Sequence, residues 1–513
     1  MTFFKAIATV GGLTLISRVA GFIRDILTAA LLGAGPLADA FFVALKLPNF
    51  FRRISAEGAF TVAFVPVYTS IKEERGSAEA AKFAAHVLML MVGILGIFVT
   101  LSILAMPYIV TLIAPGFEAG SARFDAAVSY ARITFPYLLL MSITAMFGAM
   151  LNANNRFAPF AMAPIIFNLT LITAMVFANH HGYEISKALS IGITVSGVLQ
   201  LVFMGWMTFK ARIQPHFSRY EHSGEVKKVF SLMGPGVLGA GVMHVNLFAD
   251  MIIASFLPVG AISALYYADR LNQLPLGVVG IAMGTALLPM LSVALAKKKS
   301  ADAQKLFSQA LEACVFLALP SALGLSVLSE LIISVLFERG AFGAESTLRA
   351  SYALMGYTVG LVPYVASKVL STVFWAHKDT WTPVKISMQV TALNIVLSII
   401  LIFPFNEAGI ALSTGLVGWL QFFMLKKKMR GYGDITIAVD AKRRITKLII
   451  AAFIMMAVIC AASLIWNNVM GAERAGFIKM LTLIGCGVIS YGATVFMLRI
   501  YNLRAIKHFF VKQ

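Results

Sequence analysis

The chain has 513 residues, 59% of them hydrophobic and only 13% charged, and its mean hydropathy is +0.85. A soluble domain keeps roughly a quarter of its residues charged, so this composition excludes one. The formal charge of +19 reflects topology rather than nucleic acid. Lys and Arg gather at 72–82, 210–228, 297–299, 426–428 and 442–444, between alternate apolar segments, as the loops on the cytoplasmic face of a membrane do.

Apolar runs predict an all-α integral membrane fold of about fourteen helices, each long enough to cross a hydrocarbon core of about 30 Å. The first, near 6–32, starts like a signal peptide with Lys5 before an apolar stretch. No small-residue cleavage site precedes Arg18, and the run stays apolar to Leu32, so it is read as a retained helix carrying Arg18, Arg24 and Asp25. The second, near 37–70, carries Asp39, Lys46, Asn49, Arg52, Arg53 and Glu57. The third to sixth, near 86–114, 126–151, 158–179 and 187–209, carry few charges. Arg123 and Arg132 lie at the outer edge and read as snorkelling side chains.

The seventh, near 229–257, groups His244, Asn246 and Asp250, which fit either a cation site or a polar staple. The eighth, near 261–296, carries Ser263, Asp269 and Arg270. The tenth, near 347–376 after a ninth at 304–337, carries Lys368, which either meets substrate or pairs with a carboxylate. The remainder lie near 383–403, 408–425, 446–466 and 476–499. Pro48, Pro66, Pro136, Pro159, Pro164, Pro235, Pro275, Pro289, Pro363 and Pro383 fall in or beside these segments, and bends are expected where one removes a helical hydrogen bond. Cys314, Cys460 and Cys486 have no metal-type spacing and read as packing residues.

An internal repeat runs through the chain at an offset of about 223 residues. Gly-Ala-Phe-Thr-Val-Ala-Phe-Val-Pro66 recurs as Ile-Ala-Met-Gly-Thr-Ala-Leu-Leu-Pro289, and Ala188-Leu-Ser-Ile-Gly192 as Ala411-Leu-Ser-Thr-Gly415. Six helices return the chain to the same side, so the halves are expected as parallel repeats with a cavity between them. The expected organisation is an N-lobe at 1–215, a C-lobe at 216–430, and two extra helices with a tail at 431–513. Both termini are expected on the cytoplasmic side.

Each charge at mid-membrane costs about 2.5–3.5 kcal/mol on insertion scales. Arg18 and Asp25 stand seven residues apart, on one helical face. Internal salt bridges are one explanation for the set. For Arg18, Arg24, Arg52 and Arg270 an electropositive, water-filled cavity is the favoured one, because guanidinium forks grip phosphate in a way an ammonium cannot. An anionic substrate such as a diphosphate follows. No Gly-Lys dipeptide occurs, so there is no P-loop, and no zinc motif or catalytic domain is visible. Transport without cofactor, bound metal or enzymatic chemistry is the expectation.

Arg18-Val-Ala-Gly-Phe-Ile-Arg24-Asp25, Asp39-Ala-Phe-Phe, Pro48-Asn49, Arg52-Arg53, Ala56-Glu57-Gly58-Ala59-Phe60 and Phe64-Val65-Pro66 together resemble the MurJ/MviN family. Ser263 and Tyr266-Tyr267-Ala268-Asp269-Arg270 continue the likeness, which covers essentially the whole chain. Ser55 and Ala20 stand where bulkier apolar residues are expected, which touches no charged position. The resemblance implies a MOP-superfamily fold and an alternating-access flippase for lipid II, the undecaprenyl-diphosphate-linked peptidoglycan precursor, in a bacterial inner membrane. It further implies that Arg18, Arg24, Arg52 and Arg270 hold the diphosphate and head group. Asp25, Asp39, Asn49, Glu57, Ser263 and Asp269 would form the gate or cavity wall, and the last two helices a groove for the polyprenyl tail. Implied partners are lipid II, membrane lipids and cell-wall synthesis proteins.

Three other readings stay open: a polysaccharide-lipid flippase, a multidrug or cation antiporter of the same superfamily, and a membrane scaffold that transports nothing.

Overall fold

The computed structural model describes residues 3–52, 60–218, 223–297, 299–432, 435–470 and 476–500, apart from the side chains of 3–8, 52, 62, 223, 234–244, 278–286 and 470. Every regular element among them is helical, and nine helices are long and apolar enough to span a membrane. The chain falls into two compact units, Met1–Ser263 with Arg339–Phe342, and Ala264–Glu338 with Gly343–Gln513.

Unit 1 holds α1 (Phe3–Leu32), α2 (Pro36–Arg52), α3 (Thr61–Arg75), α4 (Ser77–Leu104), α5 (Met106–Ile113), α6 (Ala122–Thr134), α7 (Tyr137–Ala153), α8 (Ala158–His181), α9 (Ile185–Lys210) and α10 (Ser223–Ser255). The next helix, α11 (Ala261–Ala296), starts in unit 1 and runs on into unit 2. Unit 2 continues with α12 (Ser300–Val327), α13 (Ser329–Phe337), α14 (Ala344–Ala376), α15 (Trp381–Met429), α16 (Val439–Met470) and α17 (Gly476–Met497).

Three predicted spans are interrupted. The break between α4 and α5 falls at Ala105, where Pro107 starts the new helix with a residue that needs no amide donor. Others fall at Phe135–Pro136 and at Leu328. The predicted span 37–70 appears as α2 and α3, with 53–59 between them outside the described residues. The two spans expected near 383–403 and 408–425 are two helical stretches of α15 that meet at a kink, where Asn406 leaves helical geometry (φ 48°, ψ −133°). Most prolines expected to bend helices do not end them. Pro48, Pro66, Pro164, Pro275, Pro289 and Pro363 all lie inside continuous helices.

In unit 1 an aromatic ladder organises one core. Phe60 and Phe64 stack at 5.1 Å, Phe64 and Tyr68 at 5.4 Å, and Phe83 of α4 stacks on Phe64 at 5.7 Å. The four-residue spacing puts these rings on one stripe of the chain. α10 packs here too, through the Arg75–Glu225 ion pair at 2.8 Å and Phe50 edge-on to Phe248 at 4.1 Å. These contacts tie α10 into the first compact unit, which runs to Ser263.

Unit 2 is built on α14 against α15. Gly356 and Gly360 form a small-xxx-small stripe, and a methyl group on Gly360 would lie 2.6 Å from the Cα of Gly415. Lipid supplies no hydrophobic drive between helices, so backbones that approach this closely gain their stability from dispersion. The last helices are tied on by a charge: Nε of Arg444 in α16 donates to both oxygens of buried Glu312 in α12, at 2.9 and 2.8 Å. The Tyr491 hydroxyl of α17 donates to the Phe316 carbonyl at 3.0 Å.

This packing sets the expected outcomes of three substitutions. Gly360→Val is expected to cost about 1–3 kcal/mol by overpacking, read as a lower thermal midpoint in detergent. Glu312→Ala should lower the midpoint by the equivalent of about 1–3 kcal/mol, since it strands a partly buried guanidinium. Asp302→Ala, which removes the exposed 3.8 Å pair with Lys299, should leave the midpoint unchanged.

Candidate functional site

The charged helices α1 and α2 were expected to carry the site, and their side chains divide into distinct settings. Arg18 is exposed on α1. Arg24, one and a half turns on, is 9% exposed and internally paired. Its Nε and Nη2 donate to Asp25 Oδ1 at 3.1 and 2.6 Å, and its Nη1 donates to Asn168 Oδ1 at 2.9 Å. Asn168 in turn donates to the Ser17 carbonyl at 3.0 Å. A methyl group on Gly21 would lie 3.4 Å from the Asn168 amide nitrogen, in ordinary contact. The open, water-filled setting expected for Arg24 is thus replaced by a buried clamp between α1 and α8. Adjacent helical residues do not face each other, but the long arginine stem wraps round to Asp25.

Asp39 is the most enclosed carboxylate, with no exposed surface. Its Oδ1 accepts the Ser263 amide at 2.9 Å and the Ser263 hydroxyl at 2.7 Å, and its Oδ2 accepts the Gly260 amide at 2.8 Å. Gly260 has φ +92°, a backbone angle that glycine adopts without strain, and this aims its amide at Asp39. The carboxylate therefore caps the first turn of α11, where four amides lack helical partners and the helix dipole favours a negative charge. Arg123 of α6 completes the set, with Nη2 3.1 Å from Oδ2 and its guanidinium 3.9 Å over the Phe117 ring. Arg123 was read as snorkelling to an interface. It is instead 12% exposed in its side chain and bound to Asp39.

Of the remaining expected residues, Asn49 is half-buried and donates to the Leu45 carbonyl of its own helix at 2.9 Å. Arg52 ends α2, with its side chain outside the described residues, as is the whole of Glu57. In unit 2, Arg270 Nη2 donates to the Tyr266 hydroxyl at 2.8 Å, and the guanidinium lies 4.7 Å over that ring. Asp269 accepts a hydrogen bond from Gln273 one turn on. Lys368 is exposed, its ammonium 5.8 Å over the Tyr364 ring. Asn246 donates to Asp250 at 3.3 Å, the polar-staple arrangement, and the His244 side chain lies outside the described residues. Arg132 reaches the Ile103 carbonyl at 3.3 Å and is exposed, as a snorkelling side chain would be. No group of three or more metal-ligating side chains occurs among the described residues.

The structure thus brings Asp39 and Ser263 together, and Arg24 with Asp25. Arg123 and Asn168 are the residues that sequence reasoning missed. Only the placement of Asn168 in an otherwise apolar run offered a signal.

A second feature of unit 1 is a pair of close approaches. Gly116, in the turn after α5, packs against the Ser255 carbonyl at the end of α10 and donates its amide to the Ser255 hydroxyl at 2.9 Å. Gly340, in the tetrapeptide Arg339–Phe342, packs against the Ala30 carbonyl near the end of α1. The next amide, that of Ala341, donates to that carbonyl at 2.8 Å. The two glycines are separated by the same 224 residues as Asp39 and Ser263.

Residues 28–475 match the family model described as lipid II flippase MurJ. A probable lipid II flippase MurJ of Rhizobium tropici is 38% identical over 95% of this chain and 93% of its own length. One from Rickettsia prowazekii (strain Madrid E) is 33% identical over 98% and 99%. Among solved structures, a lipid II flippase MurJ in an inward closed conformation superposes with a TM-score of 0.80 at 28% identity, covering 95% of this chain and 98% of that one. An inward-facing multidrug-resistance MATE transporter of the MOP superfamily gives 0.69 at 14% identity over 83% of this chain, a likeness of fold alone. With a family match spanning most of the sequence and relatives alike end to end, this multi-pass membrane protein belongs to the MurJ lipid II flippase family.

Proposed function

We propose that this chain flips lipid II from the cytoplasmic to the periplasmic leaflet of a bacterial inner membrane by alternating access, supplying peptidoglycan synthesis. The observation that carries this reading is the family likeness, which runs from residue 28 to residue 475. Both termini lie in the cytoplasm, in keeping with the Lys and Arg clusters. The repeats 1–215 and 216–430 act as the moving lobes, and α16 with α17 holds the polyprenyl tail.

Arg18, Arg24, Arg52 and Arg270 take the diphosphate and head group in this reading. Exposed Arg18 supports it directly. Arg24 enters by exchange: a diphosphate offers its guanidinium the acceptors that Asp25 and Asn168 supply now. Asp39 with Ser263 serves as the gate, because its bonds hold the start of α11 against α2. Membrane potential or an ion gradient drives the cycle, since the chain has no P-loop. Cell-wall synthesis proteins are its expected neighbours.

Complementation tests the reading. In cells depleted of their own flippase, wild type should support growth, while Arg24→Ala and Arg270→Ala reach normal membrane levels and fail. Arg24→Lys should also fail, because an ammonium has no bidentate fork. Growth with both alanine variants would make the arginines structural and favour a scaffold.

The gate makes a separate prediction on stability. Asp39→Ala leaves Arg123 without its buried counter-charge and should cost about 3–5 kcal/mol, whereas Ser263→Ala removes one hydroxyl donor and should cost about 1 kcal/mol. Thermal midpoints of the purified variants give the ranking, and equal values would refute the capping role of Asp39.

A further inference from the structure

A groove of about 860 Å³ runs between α8 and α9 in unit 1, on a face that carries none of the residues assigned to lipid II. Its floor is closed where Gly192 packs on Leu171 and Ala174, each 3.1 Å from the position a methyl group would take. Its walls are apolar and exposed: Phe177 at 55%, Ile191 at 47%, Val195 at 43% and Leu199 at 46%. At its mouth, by the α8–α9 turn, Tyr183 and Lys187 are both exposed. Phe177, His181 and Tyr183 form a contiguous aromatic shelf there, with His181 stacked on Tyr183 at 5.8 Å and tilted against Phe177 at 4.2 Å.

One carboxylate shares the mouth, that of Glu184. Its Oε1 is held by the Tyr130 hydroxyl and, at 2.6 Å, by the Ser186 hydroxyl. Lys187 stands three residues on along α9 and is exposed.

We infer that this groove binds a phospholipid with an anionic head group, acyl chain along the apolar trough and phosphate at Lys187. Three features select this occupant. The trough from Lys187 to Leu199 is about 18 Å long at 1.5 Å per residue, close to one leaflet of a hydrocarbon core of about 30 Å. The apolar walls begin where the polar groups end, so head and tail fall at the depths that a lipid gives them. An ammonium and aromatic rings with polar tips occupy the interface level, where such side chains meet lipid phosphates.

The inference depends on membrane embedding and is independent of which substrate the chain moves. It is tested on the purified full chain in detergent, titrated with phosphatidylglycerol or with phosphatidylcholine of the same acyl chains. Binding is read from the thermal midpoint and from the lipid retained after gel filtration. Wild type is expected to take phosphatidylglycerol about tenfold more tightly than phosphatidylcholine, because the choline cation offsets the phosphate charge that meets Lys187. Lys187→Gln, an exposed substitution that leaves packing alone, should erase that preference. Thr173→Trp, which fills the trough from an exposed position, should weaken both lipids about tenfold. Equal binding of the two lipids by wild type, or an undiminished preference in Lys187→Gln, overturns the proposal.

Discussion

A single carboxylate without exposed surface, Asp39, joins three stretches of chain that are far apart in sequence. It sits on α2, caps the first turn of α11 and neutralises Arg123 of α6. In a low-dielectric interior such a charge is costly unless every lone pair is used. Two amides and one hydroxyl donate to it here, and the Arg123 guanidinium lies within ion-pair distance. Removing any of these groups exposes the cost of the rest. It also suits a switch: bonds from helix-end amides to one side chain can part together, whereas a packed apolar seam cannot part without opening voids.

Arg24 shows the same economy at a smaller scale. Three of its five N–H donors are divided between a neighbouring acid and an amide on α8, so one buried cation fastens two helices. In the proposed function, a diphosphate that drew these donors away would loosen α1 from α8.

Much of the fold was legible because the sequence is simple in the relevant respect. Runs of apolar residues longer than a bilayer is thick mark α4, α8, α9, α14, α16 and α17, whatever their packing. The interruption at Phe135–Pro136 falls on a proline expected to bend its span, whereas those at Ala105 and Leu328 were not legible. Proline is tolerated inside α2, α8 and α14, while chain breaks fall at Ala105 and Leu328, residues with no intrinsic reason to end a helix. These two breaks recur at nearly the interval that relates the repeated motifs. The charged positions could be read from their insertion cost, but their partners could not. Arg123 and Asp39 pair across 83 intervening residues of helix and loop, far beyond the single turn over which sequence spacing fixes side-chain neighbours. Asn168 offered a weaker signal, a lone uncharged amide in an apolar run.

The tetrapeptide Arg339–Phe342 belongs to unit 1 although it follows most of the first stretch of unit 2 in the chain. Its Ala341 amide is what satisfies the Ala30 carbonyl near the end of α1. During synthesis, unit 1 therefore cannot close when Ser263 leaves the ribosome. It waits for some 80 further residues, about 4–16 s at ordinary elongation rates, with the carboxyl end of its first helix still open. The order of biogenesis is thereby interlaced: α11, α12 and α13 must be made before the earlier unit is finished. A membrane insertase or chaperone would meet that unfinished helix end, and mistimed release would be felt first in α1, where the exposed Arg18 and the clamped Arg24 reside.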